Sequence, residues 1–312
     1  DIDLIINIMV DKPVVSAQLI KADLEVDASP IISISDPSLI TGEVMGVYFN
    51  DMYSDVNVFK SYDAGSFTLN AVKMRKLVDE FGENKKFFIE TSDVYLDTGS
   101  VNVYSKIIRT YNDLTLFGSI AELYVTERLN YNGYFILANN IKCPDEGTPV
   151  AFNRNGNFAI SGIAECLNSN IGFNGVFDGR GYTISNFKPV GHGSFITWLT
   201  TNGVLKNIGF KDATVDASLI QKSNNPVAVL VCNGQGTVTN VYVSYKKIST
   251  GLAKYDNKYC STFCSTEGSI KPTSIFVDAS NATISGDFDI LGKLLGCNGV
   301  YTIGGTHINS SK

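Results

Sequence analysis

The acidic side chains in the second half of the chain are the groups that could cleave a glycosidic bond. Glycoside hydrolysis uses two carboxylates about 5–10 Å apart across one bond. Asp178 precedes Gly179 and Gly181 in a turn, where a short carboxylate accepts hydrogen bonds from its own backbone. We interpret Asp178 as a turn residue for that reason. The other candidates are Asp212, Asp216, Asp256 and Asp278.

Base chemistry has few candidates. A polysaccharide lyase would need clustered acids to hold Ca²⁺ and an Arg or Lys base. Arg180 is the only arginine after Arg154, and no Asp-x-Asp cluster stands beside it. His192, between two glycines, has a side chain suited to acid–base work, but no Ser, Cys or acid lies at motif spacing from it. The sequence therefore favours a protein without catalytic residues, and a polysaccharide lyase or glycoside hydrolase remains an alternative.

Metal ligands are sparse. The chain has six cysteines, of which only Cys260 and Cys264 are close in sequence, and its two histidines are His192 and His307. A zinc site usually combines paired C-x₂₋₄-C elements or nearby histidines. We expect buried free thiols, no metal and no cofactor, and a disulfide between Cys260 and Cys264 or other cysteines stays open.

Aromatic residues amid polar ones could form a platform on which a sugar ring stacks. Together with His192 they are the candidate binding residues, although tyrosine is also an ordinary strand residue. The aromatic candidates are Trp198, Tyr242, Tyr245, Tyr255 and Tyr259.

Composition excludes two classes of partner. The formal net charge is −6 over 312 residues and basic residues occur at most in short pairs, so no stripe could neutralise the phosphates of a nucleic acid. No apolar run reaches the roughly 18 residues that span a bilayer. The chain begins at Asp1 without a signal-like segment, which indicates a mature or excised piece.

Short strands make up the first part of the chain, and they must position any site there. Apolar runs separated by turns predict a β-sandwich over residues 1–108. One helix interrupts this pattern, with Asn70 as its N-cap and Gly82 as its C-cap. Its apolar face is predicted to carry Val72, Met74, Leu77, Val78 and Phe81.

Residues 109–312 repeat one pattern. The stretch 173–187 (FNGVFDGRGYTISNF) has echoes downstream, with an aligned polar residue at Asn186, Asn207, Asn240 and Ser274, spaced 21, 33 and 34 residues apart. Such spacing predicts the coils of a parallel β-helix with loops inserted on one face. An amphipathic helix over 110–127, capped by Thr110 or Asn112, would cover the open end of its core.

The repeats also predict which side chains form that core. The predicted core residues are Phe177, Ile184, Phe187, Phe195, Leu205, Ile208, Phe210, Val229, Val231, Val238, Val241 and Val243.

Residues 108–243 resemble a family of right-handed parallel β-helix domains found in bacterial surface proteins and phage structural proteins. The resemblance rests on 109–114 (RTYNDL), 133–141 (GYFILANNI), 173–187 and 203–210 (GVLKNIGF). The preceding region is similar to immunoglobulin-like modules through its strand pattern and residues 36–42 (DPSLITG).

The resemblance implies a non-enzymatic, extracellular structural or adhesive module at a cell or virion surface. Its partners would be glycans or host-surface proteins, contacted through loops at about 190–203 and 217–234. A virion structural or capsid- or fibre-decoration protein, bound to other virion subunits, is an alternative. The sequence specifies neither the ligand nor the oligomeric state.

Overall fold

The structure is a computed structural model that describes residues 12–21, 23–26, 30–78, 80–114, 132–144, 173–188, 195–216, 229–249, 271–278, 280–285, 299–303 and 306–310. Internal contacts divide the chain into two compact units, Asp1–Lys106 (unit 1) and Ile107–Lys312 (unit 2). Strands form most of the regular structure, which confirms the predicted all-β class.

Unit 1 is built from short strands joined by turns, with 3₁₀ turns at Pro37–Leu39 and Val56–Val58. Its strands are β1 (Val14–Ser16), β2 (Asp23–Glu25), β3 (Ile31–Ser33), β4 (Val44–Phe49), β5 (Met52–Asp55), β6 (Phe59–Asp63), β7 (Ser66–Leu69), β8 (Gly82–Thr91) and β9 (Tyr95–Tyr104).

These strands form two sheets in the described part of unit 1. The larger sheet has the order β1-β9-β8-β4-β5, with β2 also beside β9, and the smaller sheet has the order β3-β7-β6. Strands β1 and β2 run parallel to β9, while β4, β5, β8 and β9 pair in antiparallel fashion.

Buried side chains from both sheets belong to one hydrophobic cluster. The larger sheet contributes Phe49 and Phe87, and the smaller sheet contributes Ile32, Phe67 and Leu69, all at most 3% exposed. Because successive strand residues point to opposite faces, the alternate positions of the larger sheet face away from this cluster.

The helix α1 (Ala71–Leu77) begins where the sequence predicts. Asn70 Oδ1 accepts a hydrogen bond from the Lys73 backbone N–H at 3.1 Å, which confirms Asn70 as the N-cap. The predicted C-cap is wrong, because the helix ends at Leu77 and Gly82 starts β8. Val72, predicted on the apolar face, is 67% exposed.

Unit 2 continues with strands that pair mostly in parallel. They are β10 (Lys106–Ile108), which starts at the boundary, β11 (Tyr134–Leu137), β12 (Ile141–Lys142), β13 (Val176–Asp178), β14 (Thr183–Ser185), β15 (Ile196–Leu199), β16 (Val204–Asp216), β17 (Val231–Gly234), β18 (Thr237–Ser249), β19 (Lys271–Asp278), β20 (Thr283–Ser285), β21 (Gly299–Ile303) and β22 (Thr306–Ser310).

Parallel pairing links these strands in chain order. The main path of the sheet is β10-β11-β13-β16-β18-β19-β21-β22. A second series, β12-β14-β16, pairs beside it in parallel, and β15 pairs in parallel with β17 in a separate sheet. Strands β21 and β22 form an antiparallel hairpin at the end of the path.

Matching apolar residues occupy matching positions in this stack. In one column Phe135, Phe177, Leu205 and Val238 are directly paired, and all are fully buried. The predicted core of unit 2 is confirmed, because all of its predicted residues are buried. Phe195 contacts Phe177 and Phe210, with ring centroids 4.9 and 5.2 Å apart, and so fills the space between two strand series.

The start of unit 2 carries the predicted helix cap. Asp113 Oδ2 accepts hydrogen bonds from the backbone N–H groups of Arg109 and Thr110 at 2.9 and 3.0 Å, while Thr110 Oγ1 accepts one from Asp113 N–H at 3.1 Å. This reciprocal arrangement caps a turn of helix at 111–114 and identifies Thr110, rather than Asn112, as the cap. Residues 115–127 of the predicted helix lie outside the described residues.

The predicted column of polar residues is partly wrong. Asn207, Asn240 and Ser274 do share one register, since their flanking residues are paired. Asn186 does not, because Ser185 pairs with Lys211 and Asn186 therefore falls level with Asp212. Residue 207 instead lies level with the turn after Asp178, whose Gly181 N–H donates to the Asn207 carbonyl at 2.8 Å.

Left-handed backbone at Asn240 leads to a first prediction. Asn240 has φ 52°, and its Nδ2 donates to Asn207 Oδ1 at 2.8 Å. We expect Asn240→Ala to lower the free energy of unfolding of unit 2 by about 1.5–3 kcal/mol, through backbone strain and the lost hydrogen bond. Asn240→Gly, which removes the bond without the strain, should cost about 1 kcal/mol.

Urea unfolding followed by tryptophan fluorescence measures this difference, because Trp198 is the only tryptophan and lies on β15 of unit 2. If the glycine variant were destabilised as much as the alanine variant, left-handed strain would not explain the choice of asparagine.

Candidate functional site

Tyr242 is the predicted binding residue that the structure leaves accessible. It lies on β18 with 37% of its surface exposed. Its ring stacks on Phe276, the directly paired residue of β19, with centroids 5.5 Å apart and planes 13° from parallel. The two rings form an apolar surface on the outside of the parallel stack.

Tyr245 corrects the predicted platform. It is 3% exposed, so it cannot stack on a ligand beside Tyr242. The reason is the period of a strand: Val241, Val243 and Tyr245 share one parity and point into the core, whereas Tyr242 points outward. Tyr245 is paired with Ala213, which is fully buried.

The other predicted binding residues are not assembled into a site by the described residues. Trp198 pairs with Asn233 between β15 and β17, but its side chain lies outside what the structure describes. His192, Tyr255 and Tyr259 lie outside the described residues altogether. The same holds for Cys260 and Cys264, so their pairing stays a prediction.

A polar cluster that the sequence did not predict surrounds Asp178. Its Oδ1 accepts hydrogen bonds from the Arg180 backbone N–H at 2.9 Å and from Asn207 Nδ2 at 3.1 Å. Its Oδ2 accepts one from the Tyr134 hydroxyl at 3.2 Å and lies 3.3 Å from Lys206 Nζ. The Lys206 ammonium also lies 5.4 Å from the centroid of the Tyr134 ring.

Three strands that are neighbours in the sheet supply this cluster. Tyr134 begins β11, Asp178 ends β13, and Lys206 is the residue of β16 that pairs with Asp178. The bond to Arg180 confirms that Asp178 stabilises its own turn. Strand register alone brings Lys206 to Asp178, since 28 residues separate them in sequence. That register could not be read from local pattern.

The charges of the cluster support one another. Burial raises the pKa of Asp178, but the Arg180 N–H, the Asn207 amide and the Lys206 ammonium outweigh burial and hold that pKa below its usual value. Burial lowers the pKa of Lys206, and its contacts with Tyr134 and Asp178 more than compensate, so the net shift is upward. Burial is the main reason that the pKa of Tyr134 is raised.

These directions keep Asp178 ionised, Lys206 protonated and Tyr134 neutral near neutral pH. Both carboxylate oxygens are occupied by donors, so Asp178 has the surroundings of a structural crosslink rather than those of a general base. The described residues contain no group of three or more His, Cys, Asp or Glu side chains arranged to hold a metal ion.

Cys143 is the cysteine whose state the structure describes. It is 1% exposed and unpaired, and burial raises the pKa of its thiol to about 12. A thiol that stays protonated at physiological pH is a poor nucleophile and a poor metal ligand. Cys143 therefore acts as a small apolar core residue.

No protein-family model matches this chain, and neither the curated proteins nor the solved structures that were compared with it contain a match. In the described residues, no helix combines the length and the apolar character that crossing a membrane requires.

The Asp178 cluster leads to a second prediction. We expect Asp178→Asn to lower the free energy of unfolding of unit 2 at pH 7 by about 1–3 kcal/mol, because charge-assisted hydrogen bonds to a buried carboxylate are lost. The folded-state pKa of Asp178 is depressed, so its contribution is complete above the unfolded-state pKa of about 3.9. It is lost as the pH falls from there through the folded-state value.

The difference between native chain and variant should therefore shrink on acidification, as measured by urea unfolding with Trp198 fluorescence between pH 7 and pH 2. Asp278→Asn is the comparison variant, because hydrogen bonds from Ser280 in an exposed turn also lower the pKa of Asp278. We expect it to cost less stability at pH 7 than Asp178→Asn, since solvent screens an exposed carboxylate. A difference between native chain and Asp178→Asn that stayed constant down to pH 2 would contradict the role given to the carboxylate.

Proposed function

We propose that this chain is a non-enzymatic extracellular module with a structural and adhesive role. In this proposal unit 2 is a right-handed parallel β-helix that begins with a helix capped by Thr110, and unit 1 is an immunoglobulin-like β-sandwich. The β-helix serves as a rigid spacer that displays binding side chains to glycans or host-surface proteins.

The observation that carries the proposal is that two adjacent series of strands pair in parallel in the same order. Strands β13, β16, β18 and β19 pair in sequence, and the second segments β14, β16 and β18 pair in that same order beside them. A chain that passes through both series once per turn is a coil, and stacked coils form a solenoid. The right-handed sense follows the strong preference of parallel crossovers.

A solenoid of this kind suits a spacer. Each coil contacts its neighbours along the whole length of its strands, so the phenylalanine and valine columns form one continuous core. For unit 1, the single hydrophobic cluster shared by two sheets supports the sandwich interpretation.

Adhesion would use side chains on the outside of the stack. The exposed Tyr242 and its partner Phe276 offer an apolar surface with a phenolic hydroxyl, a combination that suits the C–H face and the hydroxyl groups of a sugar. Trp198, His192, Tyr255 and Tyr259 remain proposed contributors to glycan or host-surface binding.

A third prediction tests the adhesive role. We expect the chain to bind at least one glycan on an array or one cell surface, and Tyr242→Ala to weaken that binding at least about fivefold by removing stacking area. Tyr182→Ala is the matched control, because Tyr182 is also 37% exposed on unit 2. Binding should survive that substitution.

Incubation of the chain with pectin, alginate and hyaluronan separates adhesion from catalysis. We expect no unsaturated or reducing ends to accumulate. Release of such ends would replace the adhesive proposal with a polysaccharide-cleaving one, and the absence of binding to any glycan or cell would reduce the role to that of a spacer.

A further inference from the structure

The outer face of the larger sheet of unit 1 carries a pocket that the sequence did not indicate. It is shallow, open to solvent and about 430 Å³ in volume. The residues that line it come from β1, β4, β8, β9 and the β4–β5 turn: Val14, Tyr48, Asn50, Asp51, Phe88 and Tyr95. The volume lies in the range of small-molecule sites, about 300–1,000 Å³.

Phe88 provides an open aromatic surface in this pocket. It pairs with Tyr48 of β4 on one side and with Asp97 of β9 on the other, and its neighbours Phe87 and Ile89 point into the core. Within the described residues, the Phe88 ring has no stacked aromatic or cationic partner. Phe88 is half-buried, and the part of its side chain that remains exposed lines the pocket.

Tyrosines wall the pocket and are held in place by their neighbours. The Tyr48 ring lies 4.8 Å from Tyr53 and 6.0 Å from Tyr95 between centroids. Tyr53 covers Gly46, where any side chain would collide with the Tyr53 ring at 2.9 Å. Lys12 Nζ lies 5.3 Å from the centroid of Tyr95 and makes an ion pair with Glu90 at 2.5 Å.

Two polar groups at the β4–β5 turn lack partners among the described residues. Asp51 makes no hydrogen bond or ion pair there, and its carboxylate is exposed. Asn50 Oδ1 accepts a bond from the Lys86 N–H at 3.3 Å, while its Nδ2 donates to no described group. The pocket thus offers one free acceptor and one free donor beside an aromatic surface.

We propose that this pocket is a saccharide-binding site for neutral hexose units. A pyranose ring has an apolar C–H face that stacks on Phe88, and hydroxyl groups that hydrogen-bond to Asp51 and Asn50. Lys12 is paired with Glu90, and Lys86, an exposed residue whose backbone hydrogen-bonds to Asn50, adds one positive charge near the pocket. Because the two aspartates Asp51 and Asp97 outnumber Lys86, the chemistry favours neutral sugars over uronic acids, sialic acids and phosphates.

This site is independent of the surface proposed on unit 2, and its test separates the two. The probes are neutral cello-, malto- and galacto-oligosaccharides, with hyaluronan oligomers and sialyllactose as anionic comparisons. Saturation-transfer NMR and calorimetry on the full chain measure the binding. We expect at least one neutral oligosaccharide to bind and the anionic probes not to bind.

The variants locate the binding. Phe88→Ala should weaken it at least tenfold, whereas Phe88→Tyr, which keeps the ring, should retain it within about threefold. Asp51→Ala should weaken binding about tenfold. Because Asp51 is exposed in a turn, this substitution should not disturb folding. Tyr62→Ala, at an aromatic residue that is 51% exposed and outside the pocket, should leave it unchanged.

The proposal is overturned if no neutral oligosaccharide binds, if only anionic probes bind, or if Phe88→Ala binds like the native chain. Loss through Tyr242→Ala alone would place saccharide binding on unit 2 and reject this pocket. A change in sedimentation for Phe88→Ala with unchanged saccharide binding would identify the face as a contact between two copies of the chain.

Discussion

Left-handed backbone at a few positions is the constraint on which the parallel pairing of unit 2 depends. Six described residues of unit 2 other than glycine have φ between 51° and 56°: Arg180 and Asn186 outside the strands, and Asn207, Asp212, Asn240 and Ser274 inside β16, β18 and β19. This conformation costs about 1–2 kcal/mol for most residues and less for asparagine and aspartate. Five of these six residues are small and polar, and three of them, Asn207, Asn240 and Ser274, share one register.

These left-handed positions recover part of their cost through side-chain contacts between paired strands. Asn240 donates to Asn207, Asn207 donates to Asp178, and Asp178 also accepts from Tyr134 on the preceding strand. This series of side-chain hydrogen bonds crosses four strands that are neighbours in the sheet, β11, β13, β16 and β18. The buried aromatic residues supply most of the stabilisation, while this polar edge specifies which residues face each other.

Local pattern in the sequence predicted what depends on local chemistry. The repeats identified the core residues of unit 2, Asn70 was recognised as a cap, and Thr110 was one of the two candidates for the second cap. Pairing over long distances was not predictable in the same way. The motif around Asn186 suggested that Asn186 is level with Asn207. In the structure Asn186 is level with Asp212 instead, and the motif could not distinguish the two positions because both have left-handed backbone.

The two aromatic sites differ in how far the sequence could predict them. Tyr242 and Tyr245 differ by an odd number of residues, so the strand period separates them, and this signal was present in the sequence. The unit 1 pocket combines Phe88 and Tyr95, from the consecutive strands β8 and β9, with Tyr48 from the distant strand β4, and the pairing of β4 with β8 brings Tyr48 to them.

Rings held on rigid strands lose little conformational freedom when they bind a ligand, because cross-strand neighbours have already fixed their rotamers. Surfaces of this kind favour recognition without rearrangement, which suits the adhesive role that we propose.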